Sequence, residues 1–384
     1  MSGGQLKSYI APAAPATRRP ATGSEPFVRA EVGFTPRWYQ ESLGIDFGER
    51  WHTDVTYRRE AARAMLDELR RRFPHARIGR GDDADGALDL LTGVFGTCLV
   101  AAIFGLPIIY ATDNWPNVEH RYLTRDQVAV LEVPDLDSSP IFQDLLRQVD
   151  EIERLEGRVA GFINWQGVLN NAQRLRGPDL FLDLYEAPQS AQHLFRVICE
   201  TMLLAIRRLH ERQRAGGVDY RFATVSNCSV NMISPAQYEE FLLPCDRRIA
   251  SEFDTVGIHN CAWNADPYMP FYAGIPNLGY IDMGINSDLR EARKLMPHAR
   301  RALMYTPMDL DEKPMEAIRE DMDRIARDYG PCDIVLADID SCISDDRIMD
   351  VIACCERLSR RYAESSLAPA YRQGSAGHVT RFSS

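Results

Sequence analysis

From Asp54 to Phe73 the apolar positions Ala62, Met65, Leu66 and Leu69 recur at three- and four-residue intervals among Arg and Glu, the spacing of an amphipathic helix. Ile141 to Leu155 repeats that period and Asp126 to Val130 predicts a shorter helix, so the front of the chain reads as largely helical. From about Arg158 the texture changes to short apolar runs alternating with longer helical stretches, the pattern of βα units over a parallel sheet. Predicted strands are Val159 to Trp165, Phe222 to Ser226, Val256 to Asn260, Leu278 to Asp282, Ala302 to Thr306 and Ile334 to Ile339. Start signals support the helices between them: Ser234-Pro235 reads as an N-cap with Pro at the first helical position, and Ser287-Asp288 precedes Leu289 to Leu295. Together these elements predict an α/β fold, a (β/α)8 TIM barrel with an N-terminal helical extension. The expected organisation is a disordered tail over 1–25, a mainly helical part over 26–155, the barrel body with its site over 156–364, and a second tail over 365–384. Both tails are rich in Ala, Pro, Thr, Gly and Ser.

A length of 384 residues suits one barrel with additions, and 45% hydrophobic with 26% charged residues is the ordinary globular balance. The formal charge of −11 argues against a nucleic-acid partner, which would call for a basic stripe. The apolar run from Leu99 to Tyr110 contains Gly105 and Pro107 and falls short of the roughly 20 residues of a membrane helix. No apolar leader core precedes Arg18, Arg19 and Pro20, so the expected compartment is the cytoplasm, where the nine cysteines would be thiols. No phosphate- or dinucleotide-binding loop is found: Gly79-Arg80-Gly81 lacks the third glycine and follows no convincing strand.

The chemistry concentrates at Val256-Gly257-Ile258-His259-Asn260-Cys261, an apolar strand ending in His-x-Cys. Catalytic groups of a barrel come from the C-terminal ends of several strands, so further ligands are expected at later strand ends. Cys342 follows the strand Ile334 to Ile339 and is taken as the third ligand, with Cys228 its main rival; Asp282 ends an intermediate strand. Imidazole and thiolate are the preferred donors of zinc, and three protein ligands leave a fourth position open for a substrate. A thiol bound there loses its proton and becomes a nucleophile for an activated methyl group. Asp282 would either complete the metal shell or hold His259 in one tautomer. Asp282, Asn227 and Tyr305 are the candidates for catalytic roles; Trp165, Gln166, Arg37 and Trp38 are the candidates for substrate contact. The last two lie in an expected N-terminal flap running from Phe34 to Tyr39.

These residues resemble the uroporphyrinogen decarboxylase superfamily, in its methyltransferase branch. The resemblance spans roughly residues 107–358 and rests on Gly167-Val168-Leu169-Asn170, Leu175-Arg176-Gly177, the run from Asn231 to Pro244, and His259-Asn260-Cys261. It implies a zinc site on His259, Cys261 and Cys342, and a methyl group moved between a small methylated substrate or thiol and a corrinoid (cobalamin). The corrinoid would sit on a separate protein, since the chain carries no Asp-x-His-x-x-Gly signature. Cobalamin-independent methionine synthases look similar at this site and add an acidic ligand where Asp282 stands. The Arg-Gln-Ala-Gly-Arg stretch of the true decarboxylases is absent between Glu31 and Arg50, and Ala262 replaces the usual glycine after the metal-site cysteine. The alternatives are a metal-free lyase that handles a carboxylated substrate with Asp113, Arg174 and Arg176, and a corrinoid-binding protein without turnover. Whether the chain forms a homodimer is left open.

Overall fold

The computed structural model describes residues 7–9, 18–23, 25–76 and 88–364. Gly79-Arg80-Gly81 and the expected tail over 365–384 lie outside the described residues. Eight parallel strands form one sheet: β1 (Lys7–Tyr9), β2 (Val28–Phe34), β3 (Trp165–Gln166), β4 (Phe222–Ser226), β5 (Thr255–His259), β6 (Leu278–Gly284), β7 (Arg300–Tyr305) and β8 (Cys332–Ile339). Their order is β1-β2-β8-β7-β6-β5-β4-β3, so neighbours in the sheet are neighbours in the chain and the early strand β2 lies against the last, β8. That cyclic order, with helices following the strands, is the TIM-barrel architecture. On the flank of β3, the segment around Thr92 packs in without a ladder, the Thr92 hydroxyl accepting from Phe162 N at 3.1 Å.

Strand faces divide the interior in two. Tyr280, Ala302, Met304, Val335 and Ala337 pack together in the barrel lumen, separate from the large core between sheet and helices. Deeper in the lumen, Asp333 is held bidentately by Arg29 (2.8 and 2.8 Å) and by Arg300 (3.2 and 2.5 Å). Burial opposes ionisation of Asp333, yet the two guanidinium groups hold its carboxyl down at about 2. This arrangement explains why β2 escapes the sequence pattern. Arg29 and Glu31 look like solvent-facing charges, but both side chains are buried, and only the fold brings Asp333 to Arg29.

Capping works as the sequence suggests at Ser234 and Asp288, and Asp54 adds a further cap. Asp54 accepts from Tyr57 N and opens α1 (Val55–Arg72); Ser234 and Gln237 form a reciprocal capping box; Asp288 accepts from Glu291 N. The helix expected over Ile141 to Leu155 is α2 (Pro140–Glu156), and the pattern over Asp126 to Val130 gives the short helix Arg125–Ala129. Two expectations need correction. Ladder pairing in the predicted strand Val159 to Trp165 is confined to Trp165–Gln166, because the residues before it run beside Thr92 and Tyr220 rather than beside a strand. Residues 1–25 are not uniformly a free tail: Lys7–Tyr9 pairs with Glu31 to Gly33 of β2, and Arg18 is buried inside the barrel.

Candidate metal centre

Strand register decides which thiol meets His259 and Cys261. In the β4–β5 ladder Ser226 stands opposite His259, so Cys228, two residues beyond Ser226, arrives beside Cys261, two residues beyond His259. Asn227 N donates to His259 O at 2.7 Å and locks the two strand ends together. Cys261 Sγ donates to Cys228 Sγ at 2.9 Å and lies 3.0 Å from His259 Nε2, and the three donor atoms all lie within 4.8 Å of one another. Both cysteines are free thiols. Cys342 does not join them: it is exposed in the loop after β8, beyond an irregularity between Leu336 and Ile339. The thiol that the structure brings to His259 and Cys261 is therefore the rival, Cys228, and not the expected Cys342.

The backbone is shaped for this convergence. Cys261 adopts φ +61°, a left-handed conformation that costs a non-glycine residue about 1–2 kcal/mol and is tolerated where the surroundings enforce it. Gly284 lets the next residues pass, since a Cβ there would stand 1.9 Å from Ala262 O. Gly167 does the same for the Cys228 turn, where a Cβ would fall 2.2 Å from Asn227 Oδ1. That turn is tied to α3 (Val168–Arg176), as Ser229 N donates to Asn170 Oδ1 at 3.0 Å and Ser229 Oγ to Gln173 Oε1 at 3.1 Å.

Asp282 stands behind the imidazole. Its Oδ2 lies 2.6 Å from His259 Nδ1 and accepts from Tyr280 OH at 2.9 Å, while its Oδ1 accepts from Asn260 N at 2.7 Å. With both oxygens engaged and no exposed surface, Asp282 orients His259 so that Nε2 faces the sulfurs. Burial and the Arg18 charge push the His259 imidazolium down, but Asp282 and Cys228 outweigh them and the net shift is upward. Cys228 is held well below the ordinary thiol range by the hydrogen bond from Cys261, against its burial and with help from the His259 charge. Cys261, the donor in that bond, is held well above it. The pair thus carries one negative charge readily and a second only with a cation nearby.

This donor set fits zinc: two sulfurs and one imidazole nitrogen converge, a carboxylate backs the imidazole, and a fourth direction is left to a substrate. Asn227 supports the site from outside, its Nδ2 donating to Asp246 Oδ2 at 2.9 Å, where Tyr238 OH also donates at 2.7 Å. Other sequence candidates are placed elsewhere. The Tyr305 hydroxyl donates to Asp321 of the helix Met315–Tyr329, outside the lumen. Trp165 packs into the outer core, while Gln166 belongs to a buried amide network with Asn164 and Asn170. Trp38 has no exposed surface and stacks between Phe34 and Arg72, so it is a core residue of the helix Pro36–Leu43 rather than a flap; only Arg37 is exposed, 3.5 Å from Asp113. Of the lyase set, Arg176 is tied to Asp183 at 2.8 Å. Sequence reasoning missed Arg18, whose Nη1 donates to Ser226 Oγ at 2.9 Å and Asn164 Oδ1 at 3.3 Å. Its position in a Pro- and Ala-rich segment offered no periodic signal.

Comparison with known proteins places the chain in context. A family model described as uroporphyrinogen decarboxylase (URO-D) matches residues 85–332. Among solved structures, a methyltransferase from Methanosarcina mazei superposes with a TM-score of 0.63 at 12% identity, covering 93% of this chain and 94% of that one, which shows a shared fold. A B12-independent methionine synthase from Shewanella sp. W3-18-1, in complex with selenomethionine, superposes with a TM-score of 0.45 at 11% identity over 88% of this chain and 98% of that one. No curated protein matches the chain.

Proposed function

Since the chain belongs to the uroporphyrinogen decarboxylase family, we propose that it is a zinc-dependent methyltransferase that moves a methyl group between a small methylated substrate or thiol and a corrinoid on a partner protein. The observation that carries the reading is the convergence of Cys228, His259 and Cys261, with Asp282 fixing the imidazole. A decarboxylase that works through cations and acids has no use for two thiols within 2.9 Å of each other at the barrel mouth. When bound, zinc would supply a Lewis acid that keeps a substrate thiol deprotonated at neutral pH.

The chain's own residues do the rest. Cys228 gives up its proton more readily than Cys261, so Cys228, His259 and Cys261 would hold the metal with the proton of Cys261 as the main one released. Asp282 and Tyr280 hold the imidazole in one tautomer, leaving Nε2 as the donor. Metal analysis by mass spectrometry of the wild type and of Cys228→Ala, Cys261→Ala and Cys342→Ala tests the reading. Near one zinc per chain in the wild type and in Cys342→Ala, lost in the other two while the circular dichroism is unchanged, is the expected result. A wild type that neither carries nor takes up zinc, or a Cys228→Ala variant that retains it, would overturn the assignment.

A further inference from the structure

The end of β8 breaks the alternation that the rest of the strand keeps. Val335 and Ala337 face the lumen, while Ile334, Leu336 and Ile339 are fully buried in the core beneath the helices. Alternation alone would send Asp338 outward with that buried set. Instead, three steps along β8, from Leu336 to Ile339, pass two along β2, from Val32 to Phe34, so one extra residue is inserted here. Bulges of this kind re-aim a side chain and recur beside active sites. Asp338 takes up the turn at φ +54°, and it is exposed where both of its neighbours are buried. A side chain under the helices would have no exposed surface, so this carboxylate opens into the barrel mouth.

There it faces the candidate metal centre. β8 and β5 stand three strands apart in the sheet order, so their ends look at each other across the mouth of an eight-stranded barrel. Among the described residues, the charged groups that act on Asp338 are Arg18 and His259, and it forms a hydrogen bond or ion pair with neither. Surrounding protein pushes its carboxyl up against the pull of those two cations, although its own surface stays open to solvent. Desolvation together with an open surface is what a concave site imposes, and it leaves space for a small molecule between Asp338 and His259. The lumen carboxylates already described are committed elsewhere: Asp282 to His259, Tyr280 and Asn260, and Asp333 to Arg29 and Arg300.

We propose that Asp338 is the proton acceptor of this site. A substrate thiol that enters between Asp338 and the cluster of Cys228, His259 and Cys261 gives its proton to a carboxylate oxygen of Asp338. The S–H bond breaks with its electron pair left on sulfur. That pair then forms the new S–C bond to the incoming methyl group, whose donor leaves with the electrons of its own bond. The carboxylic acid afterwards returns the proton to water. The inference rests on the proposed transfer of a methyl group to a thiol, and adds the residue that takes up the proton.

Asp338→Asn tests it, because Asn tolerates a left-handed backbone as Asp does but does not take up the proton. The full-length, zinc-loaded protein is assayed with free methylcobalamin as donor and 2-mercaptoethanol as acceptor. Wild-type kcat/KM is expected to rise with pH through the Asp338 midpoint and to level off above it, since only the ionised carboxylate accepts a proton. Asp338→Asn should lower the plateau about 100-fold or more and abolish that rise, and Asp338→Glu should restore part of both. Carbon-13 NMR of aspartate-labelled protein gives a readout without turnover. The carboxyl signal missing from Asp338→Asn should titrate above 3.8 and shift when 2-mercaptoethanol is added. An unchanged kcat/KM in Asp338→Asn, or a signal that the thiol leaves unmoved, would overturn the inference with the proposed function intact. A wild type that binds no zinc and methylates no thiol would refute the proposed function and this inference together. If Asp338→Asn does not fold, Asp338→Gly, which relaxes the backbone, takes its place in both measurements.

Discussion

Asp246 offers a quantitative check on the support behind the metal site. It is 4% exposed, lies on the helix Leu243–Ala250, and receives both Asn227 Nδ2 and Tyr238 OH on the single atom Oδ2. Burial pushes its carboxyl up from 3.8 to about 6, with the two hydrogen bonds opposing. A folded-state value raised above the unfolded one means that the fold favours the protonated form. The stabilisation is then fully present below about 3.8 and is lost as pH rises through about 6. A shift of about two units corresponds to about 3 kcal/mol. Asp246→Asn removes the charge and keeps an oxygen able to accept both bonds. Relative to wild type it should gain stability with pH across that window and level off above it. With unfolding entropy near 2.1 cal/mol/K per residue over 384 residues, 3 kcal/mol corresponds to a Tm difference of about 4 °C. Thermal melts of both proteins between about pH 4 and 8 read this directly, and the difference between them cancels the other titrating groups. A difference that stays flat with pH, or that narrows as pH rises, would refute the assignment of the buried charge to Asp246.

Two further outcomes are expected. Asp282→Asn, which weakens the carboxylate on His259 Nδ1, should lower zinc affinity by about 10- to 100-fold in competition with a chelator, without loss of secondary structure; unchanged affinity would mean that Asp282 does not support the site. Trp38→Ala should destabilise the protein by about 3–5 kcal/mol in denaturant unfolding, because the indole is fully buried against Phe34, Tyr39 and Arg72; a stable variant impaired only in turnover would restore the flap reading.

Much of the fold was legible because its signals are local. Alternating apolar runs and helical periods announced the βα units, and Ser234 and Asp288 announced helix starts, since capping depends on residues three apart. His259 and Cys261 were legible for the same reason: a strand that ends in two donors points them at the barrel mouth. Asp282 was legible as a strand-end acid, but its contacts with Asn260, Tyr280 and His259 were not.

What tertiary structure alone decided is which distant residues share a level of the barrel. Register across β4 and β5 carries Cys228, not Cys342, to Cys261, and no spacing within the chain encodes that pairing. The face of β7 turns Tyr305 toward Asp321 on the outer helix. Likewise, Arg29 and Glu31 hid a buried strand because their charges are met by the fold rather than by water. Arg18 is the extreme case, since a residue in a Pro- and Ala-rich segment is buried against Thr224 and Ser226 only once the barrel exists around it. The repeat, the caps at Ser234 and Asp288, and the strand-end pair His259 and Cys261 were readable in the sequence because they follow from near neighbours. The approach of Cys228 to that pair and the buried charges depend on contacts between segments far apart in the chain, which exist only when the sheet has formed.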